Sequence, residues 1–191
     1  MGHGYSVFDT GIGRCGIVWS NAGVVGVQLP EAREIETRRR LFQRYPQARE
    51  MRPPPNIESA IEGIAALLRG QPVDLSDIAL DTDGIPAFDQ RVYEFTRAIP
   101  WGETRSYDEV AAALKATGAP HSVAQAIGNN PFMLIVPCHR VLDAGSFAEK
   151  ISSNGGSVSK RRLLSLEGAL SAGSQSLFDV LLPVAPSRPQ A

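Results

Sequence analysis

The sequence predicts an α/β (α+β) fold: a small N-terminal α/β domain over residues 1–84, a mainly helical C-terminal domain over 85–170, and a tail over 171–191. Three observations predict it. β-rich runs between Tyr5 and Leu29 flank a cluster of turn residues. Apolar side chains recur at helical spacing, first at Ile57, Ile61, Ile64 and Leu68, then at Phe88, Val92, Phe95 and Ile99. A capping box, Ser106-Tyr107-Asp108-Glu109, opens a pair of short helices joined at a glycine.

Taken in order, Cys15–Trp19 and Val24–Leu29 are two strands, and Ser20-Asn21-Ala22-Gly23 turns the chain between them. Glu31–Arg44 has helical composition with little apolar face. Pro53-Pro54-Pro55 breaks the chain before an amphipathic helix over Ile57–Arg69. Val73–Leu80 alternates, and a further strand is expected there. The first domain closes near Asp83-Gly84. In the second, the helix from Phe88 stops at Pro100 and Gly102. The capped helix runs from Ser106 to about Lys115, and Pro120 suits the first turn of the next, ending near Gly128. Phe132–Val136 is a continuous apolar run, a buried strand or core segment that delivers Pro137-Cys138-His139-Arg140. A last helix spans Ser159–Glu167; beyond it the tail is rich in Ser, Ala and Pro and is expected to be loose, with one helical turn around Leu177–Leu181.

Composition narrows the function. At 191 residues, 43% hydrophobic and 20% charged, the chain has the make-up of an ordinary soluble protein. No apolar run approaches a membrane span, and Asp9 and Arg14 interrupt the window a signal peptide would need, so a cytoplasmic address and no membrane partner are expected. His3, His121 and His139 are scattered and the only cysteines are Cys15 and Cys138, so no metal site and no cofactor are expected. A net charge of −1 argues against tight, extended, non-specific binding to nucleic acid, though a local basic patch can suffice. Gly11-Ile12-Gly13-Arg14-Cys15-Gly16 spells a dinucleotide fingerprint, but a strand follows it instead of a helix, and the reading is rejected.

Cys138 carries the chemistry. A cysteine after an apolar run is most often a small core side chain. Here His139 is adjacent and can draw off the thiol proton, directly or through a water, to give the nucleophilic thiolate. A carboxylate on the other imidazole nitrogen would complete a relay, and Glu167, at the end of the last helix, is the best candidate. These residues alone serve a cysteine hydrolase equally well. The helix pair alone is equally ambiguous, since many such pairs never touch DNA.

Pro137-Cys138-His139-Arg140-Val141 resembles the signature of the O6-alkylguanine-DNA alkyltransferases, the methylated-DNA–protein-cysteine methyltransferases. Phe88-Asp89-Gln90-Arg91-Val92-Tyr93 and Ile99-Pro100-Trp101-Gly102-Glu103-Thr104-Arg105-Ser106-Tyr107 resemble the family's approach to its helix-turn-helix. Asn129-Asn130-Pro131 resembles its hinge, and Thr10–Gly13 with Val24–Val27 its N-terminal hairpin, so the likeness spans roughly residues 5–168. It implies a ribonuclease H-like N-terminal domain and a winged helix-turn-helix in the second. It implies Cys138 as alkyl acceptor, His139 as water-mediated base, Glu167 as its orienting group and Asn130 as hinge. Tyr107 would press on the target phosphate, and Val141 and Ser152 would line the guanine pocket. The family's second helix enters the minor groove, which suits the small Ala119, Ser122, Ala124 and Ala126. His121, Gln125, Arg140 and Ile151 complete the expected substrate and DNA contacts.

The implied partner is double-stranded DNA containing O6-alkylguanine, met by a monomer. O6 lies inside the base stack, so the nucleotide must be extruded. The thioether product resists hydrolysis, so one turnover per chain is expected. Two positions depart from the family: His121 stands where it places an arginine, and Ile151, in Glu149–Gly156, where it places an aromatic. They point to reduced activity or altered substrate preference. Three rivals remain. The runner-up is a lesion-binding or alkylation-sensing protein with weak or no transferase activity, against which the family's binder-type relatives lack the cysteine that Cys138 retains. A regulator signalling through Cys138 from promoter DNA would have only His121 and Gln125 to reach major-groove edges. A hydrolase would need an oxyanion site that the sequence does not indicate.

Overall fold

A computed structural model describes residues 2–116, 119–143, 158 and 160–169. Strands β1 (Gly4–Thr10), β2 (Gly13–Trp19) and β3 (Val24–Gln28) form an antiparallel meander, and the short β4 (Arg49–Glu50) joins β1 in parallel, giving the order β3-β2-β1-β4. Alternation along β2 sends Cys15, Ile17 and Trp19 to one face and Val18 to the other. Helix α2 (Pro55–Leu67) covers the first face with Ile57, Ala60 and Ile64, and α1 (Glu34–Arg44) covers the second with Leu41. The strand is therefore buried from Cys15 onward. At the hairpin turn Gly23 has φ +148°, and a Cβ there would run into the Ala79 carbonyl.

The strand expected over Val73–Leu80 is absent. That segment touches the sheet at one parallel bridge, Leu80 to Val24, flanked by Val24 N–H to Ala79 O at 2.9 Å and Asp81 N–H to Val24 O at 2.8 Å. An Asx turn at Asp74–Ser76 and the Arg97 guanidinium, which donates to the carbonyls of Leu75, Ser76 and Ile78, hold it irregular. A side chain takes the acceptors that a strand would offer a neighbour.

The second half is helical: α3 (Ala87–Arg97), α4 (Tyr107–Ala113), α5 (Pro120–Asn129) and α6 (Lys160–Leu166). A two-stranded parallel ladder of β5 (Arg105–Ser106) and β6 (Val141–Leu142) ties the entrance of α4 to the residues after Cys138. The capping box is present in full: Ser106 Oγ accepts from Glu109 N–H at 3.1 Å, and Glu109 Oε2 accepts from Ser106 N–H at 2.6 Å. Helix α4 stops short of Lys115, which turns left-handed at φ +54°. Val110, Val123 and Ala126 close the pair against α3, where Tyr93 Oη donates to Ala126 O at 3.0 Å.

Phe132–Val136 is buried throughout, as core and not as strand. The chain doubles back at Leu134, a non-glycine at φ +71°, and Val136 N–H bonds Phe132 O at 2.8 Å. Val27 N–H to Pro131 O at 2.8 Å fastens this loop to the sheet. One buried cluster runs from Cys15 and Ile17 through Phe132 and Val136 to Leu163, across the expected boundary at residue 84. No helix among the described residues is long and apolar enough to cross a membrane. The tail lies outside the described residues.

Candidate active site

The site is assembled at the end of the Phe132–Val136 loop. Asn130, fully buried at the C-terminus of α5, closes that loop on itself: its Nδ2 donates to Val136 O at 3.0 Å and its Oδ1 accepts from Phe132 N–H at 2.9 Å. A side chain that satisfies both a donor and an acceptor of the loop fixes where its end must lie. The loop hands over to a 3-10 turn, Cys138–Arg140, whose three side chains are all buried.

Cys138 Sγ lies 3.7 Å from Met133 Sδ. Burial pushes its thiol pKa up, against the Lys160 charge and the Asn130 hydrogen bond, which favour thiolate. The thiol is therefore the resting form, and a base must take its proton when it reacts. His139, the next residue, carries a buried imidazole. Its Nε2 is 2.6 Å from Glu167 Oε1, both side chains fully buried, and Nδ1 makes no hydrogen bond among the described residues. Burial holds the imidazole below its ordinary pKa, so it is neutral. An ionised carboxylate only accepts, so the proton sits on Nε2 and the Nδ1 lone pair is free.

Glu167 is held by several donors. Arg140 Nε approaches Oε2 at 2.9 Å and Oε1 at 3.2 Å, a terminal nitrogen of Arg140 reaches Oε1 at 2.9 Å, and Gly102 N–H reaches Oε2 at 3.3 Å. Burial alone would raise its pKa; the hydrogen bonds and charges of His139 and Arg140 reverse that and bring it to about 2. Arg140 is itself held by Ile99 O at 2.7 Å, with Trp101 at 5.9 Å from its guanidinium carbon. A cleft of about 530 Å³, walled by Leu75, Trp101, Pro137 and Arg140 among others, lies behind this turn without reaching Cys138.

Of the residues expected from sequence, Cys138, His139, Glu167, Asn130, Arg140 and Val141 are brought together and buried. The Arg140 guanidinium is engaged inside the protein, on Glu167 and Ile99. Tyr107, half-buried at the first turn of α4, joins the site through Lys160, whose Nζ donates to Tyr107 Oη at 3.0 Å and to Val141 O at 2.8 Å. His121, Ser122 and Gln125 are exposed on α5. Ile151 and Ser152 lie outside the described residues.

Lys160 was not foreseen. In sequence it begins Lys160-Arg161-Arg162, which reads as a solvated basic run. Its position held the signal: 160, 163, 164 and 167 share one helical face, and Lys160, Leu163, Leu164 and Glu167 are all buried. Among the described residues no group of three or more His, Cys, Asp or Glu could hold a metal ion.

Fold and site together define a protein in which a buried cysteine, histidine and glutamate are gathered beside a paired-helix module. Residues 87–169 match the family model for the 6-O-methylguanine DNA methyltransferase DNA-binding domain. The chain is 35% identical over 157 residues to a methylated-DNA–protein-cysteine methyltransferase of Methanothermobacter thermautotrophicus, covering 80% of this chain and 78% of that one. The O6-methylguanine methyltransferase of Mycobacterium tuberculosis matches with a TM-score of 0.68 and 31% identity over 93% of this chain and 99% of that one. Mycobacterium tuberculosis OGT in complex with DNA matches at 0.66 and 30%, over 87% and 93%. The chain belongs to the methylated-DNA–protein-cysteine methyltransferase family.

Proposed function

We propose that this protein repairs O6-alkylguanine in double-stranded DNA by moving the alkyl group onto Cys138, and that it does so once. The observation that carries the reading is the buried Cys138–His139–Glu167 arrangement, with Nε2 of His139 committed to the carboxylate and Nδ1 open. His139 Nδ1 takes the thiol proton through a water. The Cys138 thiolate attacks the alkyl carbon; the S–C bond forms as the C–O6 bond breaks. The electron pair leaves with guanine, which takes up a proton to become the normal base. The thioether has no lone route back to thiol, so the chain is consumed.

The remaining roles follow from position. Asn130 holds the end of α5 and the Cys138 loop as one piece, so a helix seated on DNA presents the thiol at a fixed distance. His121, Ser122 and Gln125 form the face of α5 turned toward DNA, with short Ser122 permitting close backbone approach. Tyr107, at the entrance of α4, meets the phosphate of the extruded nucleotide, and Val141 lines the base pocket with Ile151 and Ser152. Residues 1–84 act as a supporting domain for the catalytic 85–170, and the protein works as a cytoplasmic monomer.

The test is intact mass after incubation with a duplex carrying O6-methylguanine. The parent is expected to gain one methyl group, located on Cys138, and Cys138→Ala none. A parent of unchanged mass that still prefers the lesion duplex would make it a lesion binder.

A further inference from the structure

We propose that Arg140 is a positioning residue of the site: its forked, permanent charge reserves the Glu167 carboxylate as an acceptor and so keeps the Nδ1 lone pair of His139 free. The inference rests on the alkyl-transfer reading only for what the base does next. The geometry is independent of it. Three Arg140–Glu167 contacts lie between 2.9 and 3.2 Å, and the Ile99 carbonyl fixes the guanidinium from the far side at 2.7 Å.

The need for Arg140 follows from what a buried His–Glu pair does alone. Burial disfavours a lone carboxylate, and Glu167 stands just past the C-terminal end of α6, where a negative charge gains nothing from the helix dipole. Such a pair takes up a proton, and either way of holding it disables the base. If the proton goes to Glu167, its O–H donates to Nε2 and the imidazole hydrogen moves to Nδ1. If it goes to the imidazole, both nitrogens carry hydrogen. In both arrangements the Nδ1 lone pair is gone. A fixed positive charge on the carboxylate opposes both, because it favours ionised Glu167 and disfavours a second cation at His139.

The other charged groups around His139 cannot substitute. Lys160, on α6, also opposes a charged imidazole, but its ammonium bonds Tyr107 Oη and Val141 O and not the carboxylate. Cys138, on the same turn, is a neutral thiol at rest. Gly102 N–H offers Glu167 one hydrogen bond without charge. Arginine suits the position better than lysine, since its planar fork meets both carboxylate oxygens while a third nitrogen holds Ile99 O.

The test reads the imidazole itself. In full-length ¹⁵N-labelled protein, two-bond ¹H–¹⁵N correlations report which nitrogen of His139 is protonated; His3 and His121 are assigned by substitution. The parent is expected to show protonated Nε2 and bare Nδ1 at neutral pH, because burial holds the imidazole below its ordinary pKa. In Arg140→Met, Nδ1 is expected to gain its proton at a pH about one unit or more higher than in the parent, since a fixed positive charge that opposes a second cation at His139 has been removed. The acid limb of the methyl-transfer rate should move with it. Arg140→Lys keeps the charge without the fork and should fall between the two. Protonated Nδ1 in the parent at neutral pH would overturn the proposal without any variant. So would a folded Arg140→Met or Arg140→Lys whose His139 titration matches the parent's, whatever happens to the rate. If the titration shifts as expected but the parent transfers no methyl, the alkyl-transfer reading fails and the role of Arg140 stands.

Discussion

The Glu167 carboxylate, at the level of single residues, ties the chemistry of the site to the stability of the fold. Its pKa is depressed from an ordinary 4.5 to about 2, because two donor nitrogens of Arg140, making three contacts, and one from His139 outweigh the cost of burial. A depressed carboxylate stabilises the folded state fully above the unfolded value, near 4.5, and that contribution is lost as pH falls toward 2. The pKa difference corresponds to about 3 kcal/mol. Acid titration of the parent, followed by chemical denaturation, should therefore show stability falling between these limits. Glu167→Gln should lose a few kcal/mol at neutral pH, because Arg140 is left as a buried charge without its counter-ion, at about 3–5 kcal/mol for such a broken pair. It should also show a shallower decline in acid. An acid profile identical in parent and variant would mean that the ion pair is not formed. Asn130 does the work of backbone with its side chain: without it, Phe132 N–H and Val136 O lose their partners in a fully buried loop.

Helix α4 shows, at the level of an element, what local sequence can fix and what it cannot. Its start was legible because a capping box is a local device: Ser106 and Glu109 satisfy each other's backbone donors with no help from the rest of the chain. Ser106→Ala should cost about 1 kcal/mol of stability, while Ser106→Asp, an equally good cap, should stay close to the parent. Denaturant midpoints decide it; an alanine variant as stable as the parent would show that β5 pairing alone sets the helix start. Because Tyr107 is the first residue of α4, the alanine variant should also bind the lesion duplex less tightly than the aspartate one. Where pairing depended on distant residues, pattern misled. Val73–Leu80 alternates like a strand, yet Arg97, some twenty residues on, takes its carbonyls, and nothing in the segment announces that. For Phe132–Val136 the sequence leaves buried strand and core segment both open, and Asn130 with a left-handed Leu134 folds it back as core. The candidate site divides the same way. Cys138 and His139 are neighbours in sequence and could be read together, and Glu167 stood out as an acid between apolar and glycine residues. Lys160 was hidden because its two following residues are arginines, and only the burial of one helix face separates it from them.

The whole molecule shares one buried core that runs across residue 84. The sequence suggests two domains meeting near Asp83-Gly84, and the buried cluster joins β2 and β3 to the Cys138 loop as a core they share. Val27 bonds Pro131 through backbone and bridges to Phe132, while Phe132 stacks edge-on against Tyr93 of α3 at 6.0 Å. On the other side Arg97 of α3 gathers the segment that closes the N-terminal half. Contacts of this kind couple the halves: exposing Val27 also exposes Phe132 and frees the loop that carries the thiol. The molecule should accordingly unfold in one cooperative step. Its two tryptophans provide the measurement, because Trp19 reports from β2 and Trp101 from the turn beside Arg140. With Trp101→Phe and Trp19→Phe as single-fluorophore probes, each compared with its own far-UV circular dichroism, both signals should track the loss of secondary structure at one midpoint. Val27→Ala should then lower both midpoints together, by about 2 kcal/mol for a buried truncation of that size. Two separated transitions, or a Val27→Ala effect confined to Trp19, would mean that the catalytic half stands without the sheet, and that the N-terminal half contributes something other than support.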